Sequence, residues 1–98
     1  MIAMVDAGPF LTAPVYGEIR HALKKVHHGV ARLIRLPVDE FGEMVARIMA
    51  HGYQFTPFQP MLCGLPVDQS IGPLPEIVVV YDDDTNGAVN VLTETEVL

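Results

Sequence analysis

The sequence predicts an α+β fold: two amphipathic helices, over about 13–35 and 39–51, packed on a small antiparallel sheet that ends in a hairpin over about 76–84 and 88–96. Three observations carry this expectation. Apolar residues recur at helical spacing in two separate stretches, EIVVVYD is rich in β-branched residues, and Asn86-Gly87 follows it as a turn signal. At 98 residues the chain is read as a single domain spanning 1–98. Half of its residues are apolar, more than so small a domain hides easily, so the expectation is a homo-oligomer or a protein partner covering the surplus.

The first element, MIAMV, is a short apolar run suited to a buried strand, broken by Gly8 and Pro9. Thr12 and Pro14 supply a helix start, a hydroxyl cap followed by proline in the first turn. Val15, Ile19, Ala22, Leu23 and Val26 then keep a helical rhythm that Val30, Leu33 and Ile34 continue. Gly29 is the point at which this helix would break in favour of a strand VARLIRL. Strict alternation fails over 30–36, because Leu33 and Ile34 are adjacent and Arg32 and Arg35 fall on opposite strand faces. Periodicity therefore favours one long helix, ended by Pro37.

Asp39 caps the second helix, whose Phe41, Met44, Val45, Ile48 and Met49 form an apolar stripe that Gly52 terminates. Residues 56–75 hold five prolines and two glycines and read as a long apolar loop that must pack on something. Its residues Phe58, Met61, Leu62 and Leu65, with Tyr53 and Phe55 before it, are the expected interface or the lining of a pocket beneath it. EIVVVYD and AVNVLTETEV complete the hairpin.

The net charge of −6 is divided unevenly. Residues 1–35 carry five cations against two acids, whereas 36–98 carry one cation against ten acids. On a continuous first helix Arg20, Lys24, Lys25, His28, Arg32 and Arg35 would share one basic face, suited to an acidic partner. A pI near 4.9 and few interleaved aromatics argue against nucleic acid. No run is long and apolar enough for a membrane helix, the opening lacks a signal peptide's basic start, and the lone Cys63 suits a reducing compartment, so a cytoplasmic setting without membrane contact is expected.

Two sites invite a chemical reading. Asp82, Asp84, Asn86 and Asn90, with Gly87, match the early positions of a calcium loop, yet Thr93 stands where a bidentate carboxylate belongs, so any Ca²⁺ binding is expected to be weak. The simpler reading is an Asn-Gly turn solvated by aspartates. Cys63 with His51 offers a thiol and a base but no nucleophile motif, and no cofactor-binding motif is present. The leading expectation is a non-catalytic protein-interaction module. Its alternatives are a small-molecule binder or minimal enzyme beneath 56–75, a weak calcium domain at 82–90, and an acidic mimic of nucleic acid.

Overall fold

The computed structural model describes residues 2–27 and 29–91 and the backbone of 96–97. The chain is α+β, with two α-helices and a mixed sheet. Strand β1 (Ala3–Asp6) leads through a 3₁₀ turn at Gly8–Phe10 into helix α1 (Ala13–Leu23). Strand β2 (Gly29–Pro37) feeds directly into α2 (Val38–Ile48), which widens into a π turn at Met49–Tyr53. Strands β3 (Phe58–Leu62), β4 (Leu65–Ser70), β5 (Glu76–Tyr81), β6 (Asn86–Asn90) and β7 (Glu96–Val97) follow. The strand order is β1-β3-β4-β2-β5-β6-β7. The expected sheet was antiparallel throughout, but β1 pairs with β3, and β2 with β4, in parallel.

Thr12 and Pro14 do start α1, although the Thr12 hydroxyl makes no cap hydrogen bond. The helix stops at Leu23, not near 35. Its last turn tightens through Lys25 N donating to Ala22 O and Val26 N to Leu23 O, a spacing of three that ends helices. Residues 29–37 are a strand, and Gly29 shows why. A Cβ there would lie 2.6 Å from Val80 O and 2.7 Å from Val79 Cγ1, so β5 can approach only a glycine. This is close strand packing, not a helix terminus.

The broken alternation in β2 has an equally local cause. Ala31 pairs with Val79 and Leu33 with Val78, so Arg32 is the extra residue of a β-bulge. Before the bulge Ala31 turns inward, and after it Ile34 and Leu36 do, the latter two fully buried. The shift of one residue brings Arg32 and Arg35 to the same side of the sheet.

Segment 56–75 is not one long loop: most of it is the strands β3 and β4, and the longest irregular part is 71–75. Two of its prolines, Pro60 and Pro66, sit inside strands, and Pro57, Pro73 and Pro75 lie outside them. The carbonyls of Pro57 and Met61 accept from Ala3 and Ala7, so Pro60 turns its ring away from β1. On that side β3 meets β4 only at Met61–Pro66 and Leu62–Leu65, and the Gln59 amide closes the remaining gap, donating to Pro60 O (3.0 Å) and Val67 O (3.1 Å). Cys63 and Gly64, at φ +52° and +79°, make the tight two-residue reversal between the strands.

Helix α2 starts with Pro37 as its N-cap residue, and Asp39 lies in the first turn instead of capping it. Gly52, at φ +119°, closes the turn after α2. The hairpin is real but shorter: its strands are 76–81 and 86–90, and residues 92–95 of the expected second strand lie outside the described residues. Asn86-Gly87 is not its turn, since both residues pair within the ladder, opposite Val80 and Val79. The reversal is made by Asp82–Asp84, with Asp84 at φ +66°. Aspartate is among the few residues that tolerate this conformation.

One core holds these elements together. Ile19 and Ala22 of α1, Met44 and Ile48 of α2, and Ile34, Leu36, Val67, Ile77, Val79 and Val89 of the sheet are all buried in it.

Candidate functional site

The core residues of β2, β5 and β6 all lie on one face of the sheet, with both helices packed on that face. Their neighbours in sequence project from the other face, over which no helix lies among the described residues. Pairing registers arrange this second face in rows. Val30, Val80 and Asn86 form the first row, and Leu33, Val78 and Ala88 the second. Asp68, Arg35, Glu76 and Asn90 form the third. Val30 is 55% exposed, and Leu33, Val78, Val80 and Ala88 stay half-buried outside the core cluster. Arg35 Nη1 lies 3.4 Å from Glu76 Oε1, both side chains remaining partly exposed.

The combination is an apolar centre of two rows bordered by paired charges. It follows from β5 reading EIVVVY, where both parities are β-branched, so that the strand is apolar on its open face as well as its core face. In sequence the all-valine run carried this signal. It was masked because the bulge at Arg32 hid the second apolar strand beside it.

The residues expected to form an interface are dispersed. Leu62 is core, while Tyr53, Phe58 and Leu65 are partly buried against it, with the rings of Tyr53 and Phe58 edge to face at 6.0 Å. Phe55 alone stands free, at 96% exposure. Met61 reaches an open groove of about 490 Å³, with Met4 and Asp6 of β1, Tyr16 and Arg20 of α1, and Cys63 and Gly64 of the reversal. This groove lies at the carboxyl ends of the parallel pair β1 and β3, a frequent position for ligand sites. Asp6 Oδ1 accepts from Gly8 N (3.0 Å) and Arg20 lies over the Tyr16 ring at 5.7 Å. Cys63 is exposed there. His51 does not join it, and instead meets Phe10 edge to face at 5.4 Å.

The basic face is divided by the strand at 29–37. Arg20 lines the groove, Lys24 and Lys25 follow α1, Arg32 and Arg35 belong to the sheet, and His28 lies outside the described residues. No single arc of cations joins them.

The aspartate stretch is a self-satisfied turn. Asp83 Oδ1 accepts from Thr85 N (3.1 Å) and Thr85 Oγ1 (2.6 Å), which holds its carboxyl below the usual range. Tyr81 N donates to Thr85 O and Asp84 N to Tyr81 O. Asn90 lies four residues along β6 from Asn86, about 13 Å away at strand spacing, so the expected ligand set Asp82, Asp84, Asn86 and Asn90 does not converge. Elsewhere, Glu40 faces α1 across a gap lined by Leu11, Thr12, Val15, Glu43 and Arg47. Burial, then the charges of Glu18 and Glu43, push its carboxyl above the usual range, and its Oε2 is buried without a hydrogen-bond partner.

Compared with protein-family models, curated proteins and solved structures, the chain matches none. Among the described residues no helix is long and apolar enough to cross a membrane.

Proposed function

We propose that this chain is a protein-interaction module without a catalytic site of its own, working as a homo-oligomer through the helix-free face of β2, β5 and β6. The observation that carries the reading is that Val30, Leu33, Val78, Val80 and Ala88 share that face and remain outside the core. A bare apolar patch on so small a chain is stabilised by whatever removes it from water. Its exposed lone thiol suits a reducing, cytoplasmic setting. Light scattering over a concentration series tests the proposal. A mass rising above the monomer's 10.7 kDa, and held at 10.7 kDa in Leu33→Glu, supports it. A wild-type mass of 10.7 kDa at every concentration refutes it.

A second reading rests on the groove. Cys63 is held at φ +52°, a conformation that costs a non-glycine residue about 1–2 kcal/mol, beside Arg20, Asp6 and Tyr16. Such a site suits a small anionic or zwitterionic ligand. A metabolite screen by thermal shift supports it if a stabilising compound loses its effect in Arg20→Ala, and a screen without such a compound removes it.

A further inference from the structure

We infer that the occupant of the helix-free face is a second copy of the chain, stacked sheet on sheet. The two-fold axis runs along the strands between β2 and β5, so that Arg35 of each copy meets Glu76 of the other. This rests on the reading of that face as the surface between copies, and it specifies how the two copies are placed.

Charge selects the partner first. The chain carries a net −6, so two copies repel across most of their surfaces. The open face is different: Arg32 and Arg35 stand against Asp68 and Glu76, and the face as a whole is balanced. It is therefore the place where a second acidic copy approaches without net repulsion. The same balance offers little to a strongly basic or strongly acidic partner.

The order of residues then selects the axis. A two-fold axis lying across the strands turns the copies end for end, setting the charged row of one copy on the Val30–Val80 row of the other. That arrangement buries charges against valine with nothing to pair them. An axis along the strands keeps each row on its own kind and reverses the strand order. If that axis sits over β2, Arg35 faces its own symmetry mate and Asp68 faces Glu76. If it sits over β5, Glu76 faces itself. Both place like charges together. An axis between β4 and β2 sets Arg35 over the partner's Asp68 but lays Val78 and Val80 over the partner's β3, away from Leu33 and Val30. Only between β2 and β5 does Arg35 lie over the partner's Glu76, twice by symmetry, while Leu33 lies over the partner's Val78 and Val30 over the partner's Val80. The charged residues then form a ring of two arginines and two glutamates at one rim of an apolar centre, with Asp68 over the partner's Asn90.

The patch is small. Four strands at about 4.8 Å spacing and some five residues of length cover about 320 Å² in projection, below the ~800 Å² of accessible surface per partner in a standard interface. The dimer is accordingly reversible, in the micromolar range or weaker, and dilution separates it.

The test is a reciprocal charge swap read by sedimentation velocity across a roughly hundredfold dilution series. Wild type is expected to move from 10.7 kDa towards twice that mass as concentration rises. Arg35→Glu and Glu76→Arg each bring like charges together across the axis and weaken association at least ~10-fold when alone. Mixed in equal amounts, the two variants pair glutamate with arginine at both positions and recover association as a heterodimer. The pair within one chain is exposed and contributes only ~0–1 kcal/mol, so both variants stay folded, which circular dichroism checks. Met4→Ser, on the far edge strand, changes nothing. Recovery on mixing supports the two-fold placement. Self-association that survives either single swap, or that mixing fails to restore, overturns the placement and leaves the interaction reading standing. A wild type that stays monomeric throughout overturns both.

Discussion

Replacing Gly29 with alanine separates the strand found at 29–37 from the helix that periodicity favours, because the two give opposite signs. In the strand, the new Cβ lies 2.6 Å from Val80 O, 2.7 Å from Val79 Cγ1 and 3.0 Å from Tyr81 Cα, whereas ordinary contact begins at 3.4 Å. The start of β2 must therefore move off β5 by about 0.8 Å, against backbone that has no rotamer with which to yield. Overpacking of this kind costs about 1–3 kcal/mol, and weakening the ladder at Gly29–Tyr81 and Val30–Val80 costs about 1 kcal/mol more. The stiffer unfolded chain returns roughly 0.4–1 kcal/mol. The net expectation is destabilisation of about 2 kcal/mol, or about 10 °C in Tm for a domain of this size. In a continuous helix the same substitution would stabilise by about 0.5–1 kcal/mol. Urea titration followed by circular dichroism measures it, with Gly17→Ala as the control. Gly17 lies in α1 and its Cβ would meet nothing within 4 Å, so that variant should gain about 0.5–1 kcal/mol. A Gly29→Ala protein as stable as wild type would refute the close packing of β2 on β5.

Four further outcomes follow, from a strained residue, two titrating groups and the aspartate turn. Cys63→Asn suits a reversal with two positive φ angles and should stabilise by about 1 kcal/mol, seen as a higher Tm; a fall would mean that the thiol is held by contacts in the groove. Glu40 binds its proton more tightly folded than unfolded, so its contribution to stability is present below pH 4.5 and is lost as pH rises through its raised folded value. Glu40→Gln should therefore exceed wild type in thermal melts at neutral pH and match it in acid. Asp83 has the opposite sign: its contribution is present above pH 3.8 and is lost as pH falls through the lowered folded value, so Asp83→Asn should flatten the acid limb of the stability curve. Millimolar calcium should leave Tm unchanged, since the turn satisfies Asp83 internally and Asn90 lies at the other end of β6; a rise that Asp84→Gly abolishes would restore the cation reading.

The parts legible in the sequence were those decided by residues close together. Thr12-x-Pro14 starts a helix whatever lies around it, and EIVVVY makes a strand in any context that buries half of it. The failures share a different cause, the action of a neighbour distant in sequence. Gly29 is a glycine because of Val79 and Val80, some fifty residues away. Pro60 stays in a strand because β3 and β4 separate beside it and Gln59 bridges the gap with its side chain. Asp84, not Asn86-Gly87, takes the positive φ because the β5–β6 register places Asn86 opposite Val80.

The bulge at Arg32 decides how much of the interaction surface could be read in advance. Taken as an unbroken strand, 30–36 places Arg32 and Arg35 on opposite faces and leaves Leu33 and Ile34 in conflict, so a helix reading resolves the pattern better. One unpaired residue removes the conflict: Ile34 and Leu36 turn into the core, while Val30, Leu33 and Arg35 turn out beside Val80, Val78 and Glu76. The same residue thus hid the strand and built the face. Were Arg32 paired within the ladder instead of bulged, Arg35 would point towards the core side and Ile34 would stand beside Glu76, so the face would lose its arginine at the register where Glu76 needs an opposite charge. Deleting Arg32 should therefore cost little beyond the twist of the bulge: Leu33 then follows Ala31 opposite Val78 and Val79, Ile34 and Leu36 stay in the core, and Val30, Leu33 and Arg35 stay outward, so an unfolding midpoint far below that of wild type would refute the bulge.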